Sequence, residues 1–135
     1  MLTLAALFTL SLCKQGSILS IIAHADDDLY FINPAISDAL AQGKCLETVV
    51  TTAGYFGKPN NALRVAGLQA AYAQMAQAKN EWQESVVQIA EKPVQRFVLK
   101  SDPRVVLSFL NLPCSAHDQL SAEPFRSLHQ IYDEG

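Results

Sequence analysis

Residues 17–28 read SILSIIAHADDD, an apolar run that ends in a histidine and three consecutive aspartates. A short apolar run bounded by turn residues is typical of a buried strand, which we place at Ile18–Ala23. In open α/β sheets, ligands bind in the crevice at the carboxyl ends of the strands. The stretch therefore predicts an α/β fold with metal-binding side chains clustered where its first strand ends.

The following sequence alternates helical and strand patterns. We expect a helix over Ala35–Ala41, a second buried strand over Leu46–Thr51, and a long helix over Asn61–Ala78 whose apolar face includes Tyr72. The other expected elements are a turn at Asp28–Phe31, a loop over Thr52–Asn60, a hairpin from Glu84–Ile89 and Arg96–Lys100, a strand at Val105–Leu110 and a helix at Glu123–Tyr132. This order predicts a mostly parallel sheet with right-handed crossovers, to which the hairpin is added.

Bulk properties limit the class of protein. A chain of 135 residues suggests one domain at most, and a net charge of −3 with scattered basic residues argues against nucleic-acid binding. The apolar segment 1–13 is shorter than the roughly 20 residues that span a membrane. We therefore expect residues 1–16 to be a signal peptide, residues 17–135 to be domain sequence, and the protein to be secreted or periplasmic. A mis-started N-terminus and a cytoplasmic location are the alternatives.

The three cysteines match no zinc-ribbon or thioredoxin spacing. Cys13 would leave with a signal peptide. Cys45 and Cys114 could then form a disulfide in an exported protein. Two buried free thiols are the alternative, and we favour it slightly.

The run His24-Ala25-Asp26-Asp27 resembles the His-Pro-Asp-Asp signature of the PIG-L/LmbE family of zinc-dependent N-deacetylases, with alanine in place of the usual proline. Further segments similar to that family are Thr51–Gly54, Arg64–Gly67, Ala70–Met75 and Leu110–Pro113. The resemblance covers roughly residues 18–135. It implies a Rossmann-like three-layer sandwich with a mostly parallel sheet, of which this chain is the N-terminal portion, truncated at its C-terminal side.

The resemblance also implies roles for individual residues. His24 and Asp27 would bind Zn²⁺, Asp26 would act as the general base, and Arg64 would contact substrate. Asp28 would support either the turn or the metal ligands, without binding the metal itself. The implied reaction is removal of an N-acetyl group from an N-acetylglucosamine-like sugar by zinc-activated water. The expected partner is a small molecule or glycan that carries such a sugar.

Each of these roles has a simpler alternative. His24 could be a turn histidine without metal, the three aspartates could form a solvated turn or bind Ca²⁺, and Arg64 could be an ordinary surface arginine. Two aromatic residues in the loop after the second strand could line a sugar site or pack locally: Tyr55 and Phe56.

The sequence departs from the family pattern in its third zinc ligand, a histidine in a His-x-x-His-type segment. Neither His117 nor His129 has that spacing, and Cys114 stands where relatives often have aspartate. We therefore expect this chain by itself to be inactive. The alternative function is a catalytically incomplete carbohydrate-binding domain of the same fold. A nucleotide-binding domain is disfavoured because acids, rather than a Gly-x-Gly-x-x-Gly loop, follow the first strand.

Overall fold

The computed structural model describes residues 12–52 and 60–112. In chain order the described part contains β1 (Ser17–Ile22), α1 (Asp27–Phe31), α2 (Ala35–Ala41), β2 (Cys45–Thr52), α3 (Asn60–Met75), β3 (Trp82–Ile89), β4 (Lys92–Leu99) and β5 (Val105–Leu112). The loop residues 53–59 and the helix expected at Glu123–Tyr132 lie outside the described residues.

The strands form one five-stranded sheet in the order β1-β2-β5-β4-β3. β1 pairs with β2 and β2 with β5 in parallel, whereas β4 pairs with β5 and β3 with β4 in antiparallel. The prediction of a mostly parallel sheet is therefore wrong, and the sheet is mixed. The physical reason is the β3–β4 hairpin, which joins the sheet through β4 and so supplies its two antiparallel pairings.

The three-layer Rossmann-like arrangement is also not what the described residues form. The chain steps from β1 to β2 and then from β2 to β5 in the same direction along the sheet. Two crossovers of the same hand and direction place their helices on the same face of a sheet. In agreement with this, buried residues of α2 and α3 belong to one core cluster with one face of the strands. The described part therefore has two layers.

The shared core lies between that face and the helices. Its strand residues include Leu46, Val50 and Leu107, and its helix residues include Ile36 and Leu68, all nearly inaccessible to solvent. A buried strand was expected at the first position, but β1 is buried on one side only. Leu19 and Ile21 are 63% and 65% exposed because they point away from the helices.

Most of the expected elements are confirmed within a few residues. The helix Ala35–Ala41 has the predicted bounds, and Gly43 follows it with a φ of 78°. The predicted turn at Asp28–Phe31 is wrong, since Asp27–Phe31 forms a short helix with acidic residues in its first turn, where the helix dipole favours them. Helix α3 ends at Met75, three residues before the predicted end. Gln77 (φ 53°) and the bond from the Ala78 amide to the Ala73 carbonyl (2.9 Å) close it in a Schellman motif.

A disulfide joins Cys13 to Cys45, with 5.2 Å between the two Cα atoms. Both expectations for Cys45, a bond to Cys114 or a free thiol, are therefore wrong. The register of the parallel pair explains this, because Ser17 lies opposite Cys45 and the chain just before β1 reaches the start of β2. The signal peptide 1–16 stays a prediction, and cleavage there would remove one half of this disulfide. Within residues 12–52 and 60–112, no helix is long and apolar enough to cross a membrane.

Candidate functional site

The residues that follow β1 are held against the end of β2. The Ala23 carbonyl accepts hydrogen bonds from the Thr52 amide (3.0 Å) and the Thr52 hydroxyl (2.7 Å). Since β1 and β2 are parallel, both carboxyl ends lie at the same edge of the sheet. The turn that carries His24 therefore begins from a fixed point at the edge where α/β proteins bind their ligands.

The next residues form a tight turn that brings His24 and Asp27 together. The His24 amide donates to Asp27 Oδ2 (2.9 Å), and the Asp27 amide donates to the His24 carbonyl (3.3 Å). His24 Nδ1 lies 3.7 Å from Asp27 Oδ2, and both side chains are partly exposed. Two ligands of one tetrahedral zinc ion are separated by about 3.3 Å, so an imidazole and a carboxylate at this distance fit such an ion in donor type and in spacing.

Asp26 lies between these two residues and caps α1 through its backbone. Its carbonyl accepts bonds from the Leu29 amide (3.1 Å) and the Tyr30 amide (3.2 Å), whereas its side chain makes no capping hydrogen bond. The residue is exposed. Its carboxylate is therefore accessible to water, which the predicted role of general base requires.

Asp28 differs from its two acidic neighbours because it is wholly buried, with 0% of its surface exposed. The Tyr72 hydroxyl donates to Asp28 Oδ2, and the Leu29 amide donates to Asp28 Oδ1 (2.9 Å). Burial raises the pKa of the Asp28 carboxyl, while the hydrogen bonds from Tyr72 and Leu29 oppose that rise. The expected supporting role of Asp28 stays a prediction, and the structure places the residue directly behind the turn.

Tyr72 belongs to this site through its hydroxyl group, a role that the sequence pattern did not predict. Its helical spacing correctly predicts burial on the apolar face of α3, but not a partner for its hydroxyl. That hydroxyl lies against Asp28 and 2.6 Å from Thr48 Oγ1. A tyrosine at a core position of a helix usually finds a hydrogen-bond partner, which is the signal that could have identified it.

The remaining predicted site residues are less constrained. Arg64 lies in the first half of α3 and is exposed, and its contact with substrate stays a prediction. Within the described part of the chain, no group of three or more His, Cys, Asp or Glu side chains could hold a metal ion. Of the three zinc ligands that the resemblance implies, the described residues include the two predicted ones, His24 and Asp27, and their binding of zinc stays a prediction. His117, His129, Tyr55 and Phe56 lie outside the described residues.

Fold and site together define a two-layer protein of helices packed on a mixed five-stranded sheet, whose first strand ends in a turn lined by a histidine and aspartates. Comparison with protein-family models, with curated proteins and with solved structures finds no match to this chain. The resemblance to PIG-L/LmbE deacetylases therefore stays a prediction, and the function is argued from the site.

Proposed function

We propose that this chain belongs to a metal-dependent amide hydrolase that removes an N-acetyl group from an N-acetylglucosamine-like sugar. The observation that carries the proposal is the turn after β1, in which His24 Nδ1 and Asp27 Oδ2 lie 3.7 Å apart beside the exposed Asp26. Imidazole and carboxylate are the ligand types of catalytic zinc sites. The similarity of residues 24–27 to the His-Pro-Asp-Asp signature supports the same reaction.

Three side chains have distinct roles in the proposed reaction. His24 and Asp27 hold the metal ion, and Asp26 accepts a proton from the attacking water and later returns it to the leaving amine. A bound zinc ion would lower the pKa of water and polarise the amide carbonyl. Asp26 suits its role because its carboxylate is exposed and is not used to cap α1.

Arg64 is the proposed substrate contact, because a guanidinium offers several donors to sugar oxygens. The proposed location is outside the cytoplasm. The Cys13–Cys45 disulfide supports that location where Cys13 stays in the mature chain, since such bonds persist mainly in oxidising compartments.

The second candidate function is a carbohydrate-binding domain of this fold that lacks a complete metal site. One observation favours it: among residues 12–52 and 60–112, no group of three potential metal ligands exists. Catalytic zinc sites usually have three protein ligands. The two candidates differ in whether the protein binds zinc and releases acetate.

The test measures zinc content and acetate release on an N-acetylglucosaminide, using the protein together with any residues that its gene encodes beyond Gly135. We expect about one zinc ion per chain. Asp26→Asn should retain that zinc but reduce acetate release at least 100-fold, because general-base catalysis contributes roughly 100- to 10,000-fold.

Asp38→Asn is the matched control, because Asp38 is another exposed aspartate, on α2 and away from the turn. It should leave both zinc content and acetate release unchanged. His24→Ala and Asp27→Ala should lose the zinc. A protein that holds no zinc and releases no acetate, yet binds N-acetylglucosamine, would instead be the carbohydrate-binding domain.

A further inference from the structure

The burial of Asp28 carries a free-energy cost that its exposed and partly exposed acidic neighbours do not have. A carboxylate buried without partners costs several kcal/mol, so such groups persist only where hydrogen bonds satisfy them. Both Asp28 oxygens have a donor, Leu29 N–H on Oδ1 and Tyr72 O–H on Oδ2. Only the second donor comes from a distant part of the chain, 44 residues away.

Tyr72 is in turn oriented by β2. Its hydroxyl lies 2.6 Å from Thr48 Oγ1, and Thr48 is fully buried in the middle of that strand. A tyrosine hydroxyl has one hydrogen, which here points to Asp28. Thr48 must therefore supply the hydrogen of the other bond. The three side chains form a directed series, from Thr48 to Tyr72 to Asp28.

This series ends at the residue next to Asp27. The turn is thus anchored at both ends, by Thr52 on the Ala23 carbonyl and by Tyr72 on the Asp28 carboxylate. Between these anchors, the His24 amide donates a hydrogen bond to the Asp27 carboxylate, which couples the positions of the two residues. A change at either anchor should therefore reorient the two proposed ligands.

We propose that Tyr72 is a positioning residue for the metal-binding turn, and that it orients Asp27 through the buried carboxylate of Asp28. The inference rests on the proposed function, because it concerns the same metal. The inference goes beyond the proposed function because it assigns a role to a buried helix residue that would contact neither the metal nor the substrate. Partners behind metal ligands typically alter metal affinity 10- to 100-fold when they are removed.

The test is a titration with Zn²⁺ alone, in competition with a chromophoric chelator, on the same protein as in the zinc and acetate measurements above. Tyr72→Phe should weaken zinc binding roughly 10- to 100-fold. In the apo protein it should also speed hydrogen exchange of the His24 and Leu29 amides about tenfold, relative to amides in β5, because it loosens the turn.

A purely structural role for Tyr72 would not produce this pattern. The control is Val105→Ala, which removes buried atoms at the start of the central strand β5. This position lies at the amino ends of the parallel strands, whereas the turn lies at their carboxyl ends. Val105→Ala should destabilise the fold without changing the zinc affinity of the folded protein. If Tyr72→Phe binds zinc as tightly as the wild type, or if Val105→Ala weakens binding equally, the inference is overturned and the proposed function stands.

Two Thr48 variants keep the test usable if Tyr72→Phe fails to fold. Thr48→Val removes the hydroxyl that donates to Tyr72 and should weaken zinc binding several-fold, whereas Thr48→Ser keeps the hydroxyl and should bind as the wild type does. Equal affinities for the two variants would overturn the inference. A wild-type protein that binds no zinc at all would overturn the proposed function and the inference together, which is a distinguishable result.

Discussion

Asn111 occupies a backbone conformation that few residues tolerate, with a φ of 54° inside β5. The pairing with β2 explains it, because Phe109 pairs with Val50 and Leu112 with Thr52, so β5 carries one extra residue. Such a bulge bends a strand, and bulges are common near functional sites. Asparagine is among the residues that accept a positive φ most readily.

Asn111→Val should therefore destabilise the protein, by about 1–2 kcal/mol, because a β-branched residue is strained at positive φ. At an ordinary strand position the same change would favour the strand. The measurement is the free energy of unfolding in urea. Asn111→Gly is the control and should lose less than half as much. Equal losses in the two variants would show that the bulge conformation is not the cause.

At the scale of the secondary-structure elements, the β3–β4 hairpin decides the character of the sheet. Its loop has two residues, since Ile89 pairs with Lys92, and both Ala90 (φ 46°) and Glu91 (φ 65°) adopt positive φ. This is the geometry of a type I′ turn, for which Asn-Gly is the preferred pair. The wild-type turn residues are therefore poorly suited to the conformation that they adopt.

The double variant Ala90→Asn with Glu91→Gly should stabilise the protein by about 1 kcal/mol, because it relieves two unfavourable backbone conformations. Urea unfolding should show a higher midpoint with an unchanged slope. Glu81→Gly, at an exposed position just before β3 that lacks a positive φ, is the control and should give no gain. A gain of similar size from the control would mean that the effect arises elsewhere than in the turn.

Elements with a strong local signal were predictable from the sequence. The β-branched run of β2 and the helix at Ala35–Ala41 before Gly43 depend on local preferences, and both are confirmed. The short helix α1 was missed because five residues give too little periodicity to detect. The hairpin itself was predicted, but its pairing with β5 depends on tertiary contacts that no local pattern encodes.

The candidate site likewise has one part that the sequence could predict and one part that it could not. The sequence pattern predicted that His24 and Asp27 lie in one turn after a strand, and they do. Two residues three positions apart in a tight turn lie close together, so a local pattern was enough to predict this. The bond between Tyr72 and Asp28 joins residues 44 positions apart and depends on how α3 packs over the sheet. Only the folded structure could show it.

At the scale of the whole molecule, the Cys13–Cys45 disulfide joins the segment before β1 to the start of β2 and encloses a loop with a sequence separation of 32 residues. In the chain-entropy account, a cross-link over a loop of this length stabilises the folded state by about 3–4 kcal/mol, because it restricts the unfolded chain. That is a large share of the 5–15 kcal/mol typical of a folded domain.

Reduction should therefore lower the free energy of unfolding by about 2–4 kcal/mol. The double variant Cys13→Ser with Cys45→Ser should lose a similar amount and should no longer respond to reductant. Urea unfolding with and without reductant provides the measurement, and mass mapping of unreduced peptides identifies the bonded pair. Cys114→Ser is the matched control, and it should keep both the wild-type stability and its response to reductant. A bond between Cys45 and Cys114 in the mapped peptides, with Cys114→Ser as the destabilised variant, would contradict the pairing and would restore the arrangement in which residues 1–16 can be removed without loss of a disulfide.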